Sequence, residues 1–140
     1  MQNIFRFITY LSVLITTISC ECGYNACHKT DPKKLNIHLI AHSHDDVGWM
    51  TTPDGYYEDA VRTIISNVIQ SLGENVERRF NQVEMYFFHR WWSEQNQSTQ
   101  AVVKKLVEDG RFNFVNGGWT VNDEGAAHYN NIIDQMTLGE

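Results

Sequence analysis

Leu35-Asn36-Ile37-His38-Leu39-Ile40-Ala41-His42-Ser43-His44-Asp45-Asp46-Val47-Gly48-Trp49 passes within fifteen residues from an apolar run to a cluster of imidazoles, carboxylates and an indole. The run from Leu35 to about Ala41 reads as a buried β-strand. Side chains alternate across an extended chain, so His42, His44 and Asp46 point to one side at the strand's carboxyl end. Imidazole and carboxylate are ligands that a divalent ion such as zinc takes. A metal at the carboxyl end of an inner strand is a common arrangement in α/β enzymes. The spacing alone leaves open whether His42 or His44 binds. Asp45 and Asp46 could instead cap the next helix, and for Asp45 capping is the preferred reading. His38, inside the run, reads as a satisfied core residue.

Strand and helix patterns alternate downstream. Asp54 is the expected N-cap of a helix running to about Leu72 and stopped by Gly73, with Tyr57, Val61, Ile64, Ile65, Val68, Ile69 and Leu72 on one stripe. Gln82 to Phe88 reads as the second strand, followed by His89-Arg90-Trp91-Trp92. Thr99 to Glu108 is a second helix with Val102, Val103, Leu106 and Val107 inward. Arg111 to Val115 is the third strand. Ala126 to Leu138 is a third helix with Tyr129, Ile132, Ile133 and Met136 on one side. Three strand-helix units in succession imply an α/β class with parallel strands. Three parallel strands leave exposed edges and uncovered faces. The expectation is therefore a partial, truncated β/α barrel-like domain.

In its 140 residues the chain has room for at most one domain. Residues 1–19 read as a secretory signal peptide: one charge at Arg6, an apolar stretch Ile8 to Ile18, and small residues Thr17 and Ser19 before Cys20. That stretch is short for a membrane anchor, and no other segment could span a bilayer. Residues 20–34 form a short N-terminal segment, and 35–140 the α/β domain. Secretion implies an oxidising compartment for Cys22 and Cys27. Asn96-Gln97-Ser98 is the one glycosylation sequon. The net charge of −6, with no basic stripe, argues against a nucleic-acid partner.

The three expected strand ends collect the unusual residues. The first carries His42, His44, Asp46 and Trp49. The second carries Glu84, His89, Arg90, Trp91 and Trp92, and the third Asn116, Trp119, Asn122, Asp123 and Glu124. In a parallel sheet these ends share one side. A polar, indole-rich face suits a sugar, whose apolar faces cover rings while its hydroxyls meet carboxylates and amides. Packing is the simpler account of Trp91 and Trp92, with one ring inward. Helix capping is the simpler account of Asp123 and Glu124. Gly117-Gly118 lacks the lysine and further glycines of a phosphate loop.

The segment His38 to Trp49 closely resembles the opening of the lysosomal-type α-mannosidases of glycoside hydrolase family 38. The likeness continues in Phe87 to Trp92, in Asn116-Gly117-Gly118-Trp119-Thr120-Val121-Asn122-Asp123-Glu124, and in the stretch from His128-Tyr129 through Asp134 to Gly139. Four ordered motifs at matching separations are far more specific than any one of them. The resemblance implies a retaining α-mannosidase that hydrolyses terminal α-linked mannose on glycans, in a β/α barrel-like domain of the lysosome or secretory route. It implies zinc held by His44 and Asp46, and Trp49 beneath the mannose ring. It also implies that Cys27 pairs with a distant cysteine missing from this sequence.

The sequence departs from the family pattern in three places. The family's nucleophile, its acid/base residue and its other two zinc ligands fall beyond Glu140. The family carries a longer segment after the position of Tyr56-Tyr57. Pro53 and Gly55 replace its usual residues. The expectation is that these 140 residues alone are inactive. Two other readings remain: a secreted glycan-binding or partly folded fragment, and a metal-dependent amidohydrolase that opens with His-x-His.

Overall fold

The computed structural model describes residues 30–125 and 127–140. The expected signal peptide, Cys20, Cys22 and Cys27 lie outside the described residues. The chain divides into two compact units, residues 1–38 and residues 39–140. In the first unit, the described part is a turn organised by Asp31. Its carboxylate accepts from the Lys33 amide at 3.0 Å and pairs with Lys34.

The second unit holds the elements. A helix opens at Pro53–Tyr56 (α1), passes through a π-helical turn at Tyr57–Val61, and continues as Arg62–Glu74 (α2). Then come Phe80–Gln82 (β1), Met85–Ser93 (α3), Gln97–Glu108 (α4), Phe112–Phe114 (β2) and Tyr129–Gly139 (α5). β1 and β2 pair in parallel, with Phe80 opposite Phe112 and Gln82 opposite Phe114. On the other side of β1, His42 forms a parallel bridge with Asn81. The Ser43 amide donates to the Asn81 carbonyl, and the Asn81 amide to the Ala41 carbonyl, each at 3.0 Å. The expected α/β class and parallel pairing therefore hold among the described residues.

Two expected strands need correction. The apolar run 35–40 joins no ladder, and its side chains are exposed (Leu35 87%, Leu39 93%). A buried parallel strand needs a covering layer on each face, and hydrophobicity in the sequence does not provide one. The second strand ends at Gln82, and Met85 onward is helical. Phe87, Phe88 and Trp91 recur at helical spacing and all three are buried. For a short apolar run that period, and not the alternation of Val83 with Met85, decides the element. The helix N-terminus is also served from outside. The Met85 and Tyr86 amides, orphaned by the first turn, donate to the carbonyls of Gly118 and Trp119 at 3.1 Å.

The core is built by the π-helical turn, α2, α3, α4 and β2. Tyr57, Val61, Ile65, Ile69 and Leu72 meet Phe87, Phe88, Trp91, Val103, Leu106 and Phe112. Ile64, Val102 and Val107, expected inward, are exposed at the margins of their stripes. Trp91 is the indole that turns inward, its Nε1 donating to Ser66 Oγ at 2.9 Å. Phe88 packs edge-on to Phe114 at 4.8 Å, and Phe112 lies 5.6 Å from Phe88.

The helix caps also differ from expectation. Thr52 caps α1, its hydroxyl accepting from the Gly55 amide, with Pro53 at the first helical position. Asp54 lies within the first turn of α1 and pairs with Arg90. Gly73 is inside α2, which ends at Glu74. His128, and neither Asp123 nor Glu124, is the N-cap of α5. α5 buries none of its residues. It docks through polar contacts: the Trp119 amide donates to the Gln135 carbonyl, and the Thr120 amide to Gln135 Oε1. Backbone approach is so close here that a Cβ on Gly118 would overlap the Gln135 side chain, and one on Gly139 the Gly117 carbonyl. Glycine is the residue that permits such contact.

Candidate functional site

The candidate site begins where the parallel bridge ends. Ser43 faces inward and is buried, while His42 and His44 on either side of it are exposed. His42 Nδ1 lies 2.7 Å from the Ser43 carbonyl. His44 Nε2 stands 3.8 Å from Asp46 Oδ1, and the two side chains are 69% and 40% exposed. The chain then turns. The Gly48 amide donates back to the Asp46 carbonyl at 2.9 Å, and Gly48 takes φ 95°, a left-handed conformation that a Cβ disfavours. The turn leaves Trp49 72% exposed.

Glu84 lies beneath this segment and is fully buried. Its Oε2 accepts from Ser43 Oγ at 2.6 Å, and its Oε1 from the Asp45 amide at 2.8 Å. The Val83 amide in turn donates to Ser43 Oγ at 2.9 Å. Burial raises the Asp45 carboxyl above its ordinary range, and the neighbouring Glu84 charge adds to the shift. Asp45 is half-buried in the site, and the helix it was expected to cap is capped by Thr52.

At the second strand's end, the expected group disperses. Arg90 turns to Asp54 and Glu58, and its guanidinium lies 4.1 Å from the centre of the Tyr57 ring. Arg62 approaches the same ring at 4.9 Å and pairs with Glu58 and Glu94. His89 remains with the third group, 5.7 Å from Trp119, whose indole also meets Tyr86 edge-on at 5.6 Å. Asn116 adopts φ 69° and accepts from Asn122 through its side-chain oxygen. Asn116, Trp119 and Asn122 of the third expected group thus stay connected, tied to α5 through Gln135, while Asp123 and Glu124 are exposed.

An open apolar pocket of about 450 Å³ lies between Met85, Phe88, Trp92, Val107 and Phe114. None of His44, Asp46 and Trp49 lines it. Among the described residues, no group of three or more His, Cys, Asp and Glu side chains is placed to hold a metal ion. Among the described residues, the one histidine within 4 Å of a carboxylate is His44, beside Asp46. The sequence puts Glu84 at a strand end without giving it a role. The available signal is an acid between Val83 and Met85, where a half-buried strand passes into an apolar helix.

The family model for the N-terminal domain of glycosyl hydrolases family 38 matches residues 34–140. The chain belongs to glycosyl hydrolase family 38. Its relatives include lysosomal alpha-mannosidase of Cavia porcellus, 49% identical over 138 residues, which is 92% of this chain and 14% of that protein. Lysosomal alpha-mannosidase of Mus musculus is 51% identical over 125 residues, 84% of this chain and 12% of the relative. Alpha-mannosidase of Canavalia ensiformis is 46% identical over 124 residues, 83% of this chain and 13% of the relative. The family 38 resemblance read from the four motifs is thereby borne out. The chain spans about one-seventh of the length of these relatives.

Proposed function

We propose that this chain is the N-terminal part of a zinc-dependent, retaining α-mannosidase acting on terminal α-linked mannose of glycans. Half-identity to lysosomal alpha-mannosidases across most of the chain supports the substrate class. The observation that carries the metal reading is the separation of His44 Nε2 and Asp46 Oδ1, 3.8 Å. Two ligands bound tetrahedrally about 2.0–2.2 Å from one zinc ion lie roughly 3.3–3.6 Å apart. A small side-chain adjustment closes that gap, and both groups are open to solvent. His44 and Asp46 would therefore supply half of a four-ligand shell. The metal's chemistry there is Lewis-acid coordination of sugar hydroxyls.

Trp49 offers an exposed indole on which the apolar face of a pyranose can stack. The glycosidic step follows the two-carboxylate scheme, with one carboxylate as nucleophile and another as acid/base. We place both, together with the remaining zinc ligands, outside these 140 residues, in a completed barrel-like domain, so the chain alone turns over no mannoside. Location in the lysosome or along the secretory route accords with the names of the relatives. Among the described residues, no helix is long and apolar enough to cross a membrane. Asn96 is an exposed glycosylation candidate. Its Oδ1 caps α4, which leaves the side-chain nitrogen for a glycan.

The experiment is a chimera in which residues 34–140 replace the matching segment of the Cavia porcellus protein. The chimera is expected to hydrolyse a chromogenic α-mannoside and to lose that activity on chelation. His44→Ala and Asp46→Ala are each expected to lower turnover at least ~10-fold through weakened metal binding. Full turnover after both substitutions and exhaustive chelation would refute the proposal.

A further inference from the structure

We propose that Glu84 is a positioning residue whose buried carboxylate fixes residues 43–46 so that His44 and Asp46 face one cation. The inference rests on the metal reading above and adds a residue to it. Glu84 is fully buried, yet none of the ion pairs among the described residues includes it. Burying a carboxylate is costly unless its oxygens accept hydrogen bonds. Here each oxygen accepts one: Oε2 from Ser43 Oγ and Oε1 from the Asp45 amide.

The geometry explains why a carboxylate stands there. The donors belong to residues two apart, so two acceptor atoms are needed side by side. Glutamine would offer one oxygen and set an NH2 group against the second donor. The Asp45 amide belongs to the peptide plane joining His44 to Asp45, so holding it fixes the backbone on both sides. Ser43 is held at a second point, through its amide to the Asn81 carbonyl. With the chain held at 43 and 45 from the inner side, 44 and 46 are turned outward. The anchor itself is firm. Glu84 joins the end of β1 to the start of α3, and the first α3 amides are bound by the Gly118 and Trp119 carbonyls.

The test uses the full chain and four proteins: wild type, Glu84→Gln, Ser43→Ala and His44→Ala. Zinc affinity is measured by competition with a chromophoric chelator, and amide hydrogen exchange is read residue by residue. Wild type is expected to bind zinc more tightly than His44→Ala. Glu84→Gln is expected to weaken binding about 10–100-fold and to speed exchange at the Asp45 amide while α4 stays protected. Ser43→Ala, which removes one of the two bonds, should weaken binding less. If Glu84→Gln loses protection in α4, Ser43→Ala alone decides. Zinc affinity lost in His44→Ala but unchanged in folded Glu84→Gln, or in Ser43→Ala where that variant decides, overturns the role of Glu84 alone. Zinc bound no better by wild type than by His44→Ala overturns the metal reading, and the purpose assigned to Glu84 with it.

Discussion

Tyr57→Phe isolates one hydrogen bond at the base of the long helix. The ring is fully buried, with the Arg62 and Arg90 guanidinium groups 4.9 and 4.1 Å from its centre, and its hydroxyl donates to Glu94 at 2.7 Å. Phenylalanine keeps the ring and both cation–π contacts, so only the hydroxyl is lost. Hydrogen bonds to charged groups contribute about 1.5–3 kcal/mol. The Glu94 side chain is 38% exposed and also meets Arg62, so water can replace the lost donor. The expected destabilisation is therefore at or below the low end, about 1–1.5 kcal/mol, or roughly 4–8 °C in Tm for a domain near 100 residues. Far-UV circular dichroism during urea and thermal unfolding measures it. The effect also has a predicted pH dependence. The Tyr57 hydroxyl, then Arg62, holds the Glu94 carboxyl below its ordinary value of 4.5. A depressed carboxylate contributes stability that is complete above the unfolded value and lost as pH falls through the folded one. The gap between Tyr57→Phe and wild type should thus be full at neutral pH and close on the acid side of 4.5. A gap that persists unchanged into acid, or a Tyr57→Phe protein as stable as wild type at neutral pH, would refute the reasoning.

Gly139→Ala is expected to loosen α5, because its Cβ would strike backbone of the Gly117–Trp119 loop that cannot yield. Faster hydrogen exchange at the Trp119 and Thr120 amides is the check, and unchanged exchange would count against the docking described. Asn96→Ala is expected to cost about 1 kcal/mol by removing the cap on the Thr99 amide, whereas Asn96→Asp keeps an acceptor and should cost little. Denaturant midpoints of the two variants decide, and equal midpoints would contradict the capping account.

The sequence by itself determined the family, the parallel α/β class, and the chemistry concentrated in His42 to Trp49. Those conclusions rest on residue type and short spacing, which a linear reading preserves. It also located α4 and β2 to within a few residues, since Val103 and Leu106 follow helical spacing and Phe112 and Phe114 alternate. Only the tertiary structure decided that Met85 begins a helix, because a short apolar run fits either period until neighbours are present. The same holds for the caps. Thr52 and His128 outcompete Asp54, Asp123 and Glu124 through backbone geometry that composition does not carry. The role of Glu84 belongs wholly to the fold. Its two donors lie about forty residues earlier in the chain, and parallel pairing of Ala41–Ser43 with β1 brings them within reach.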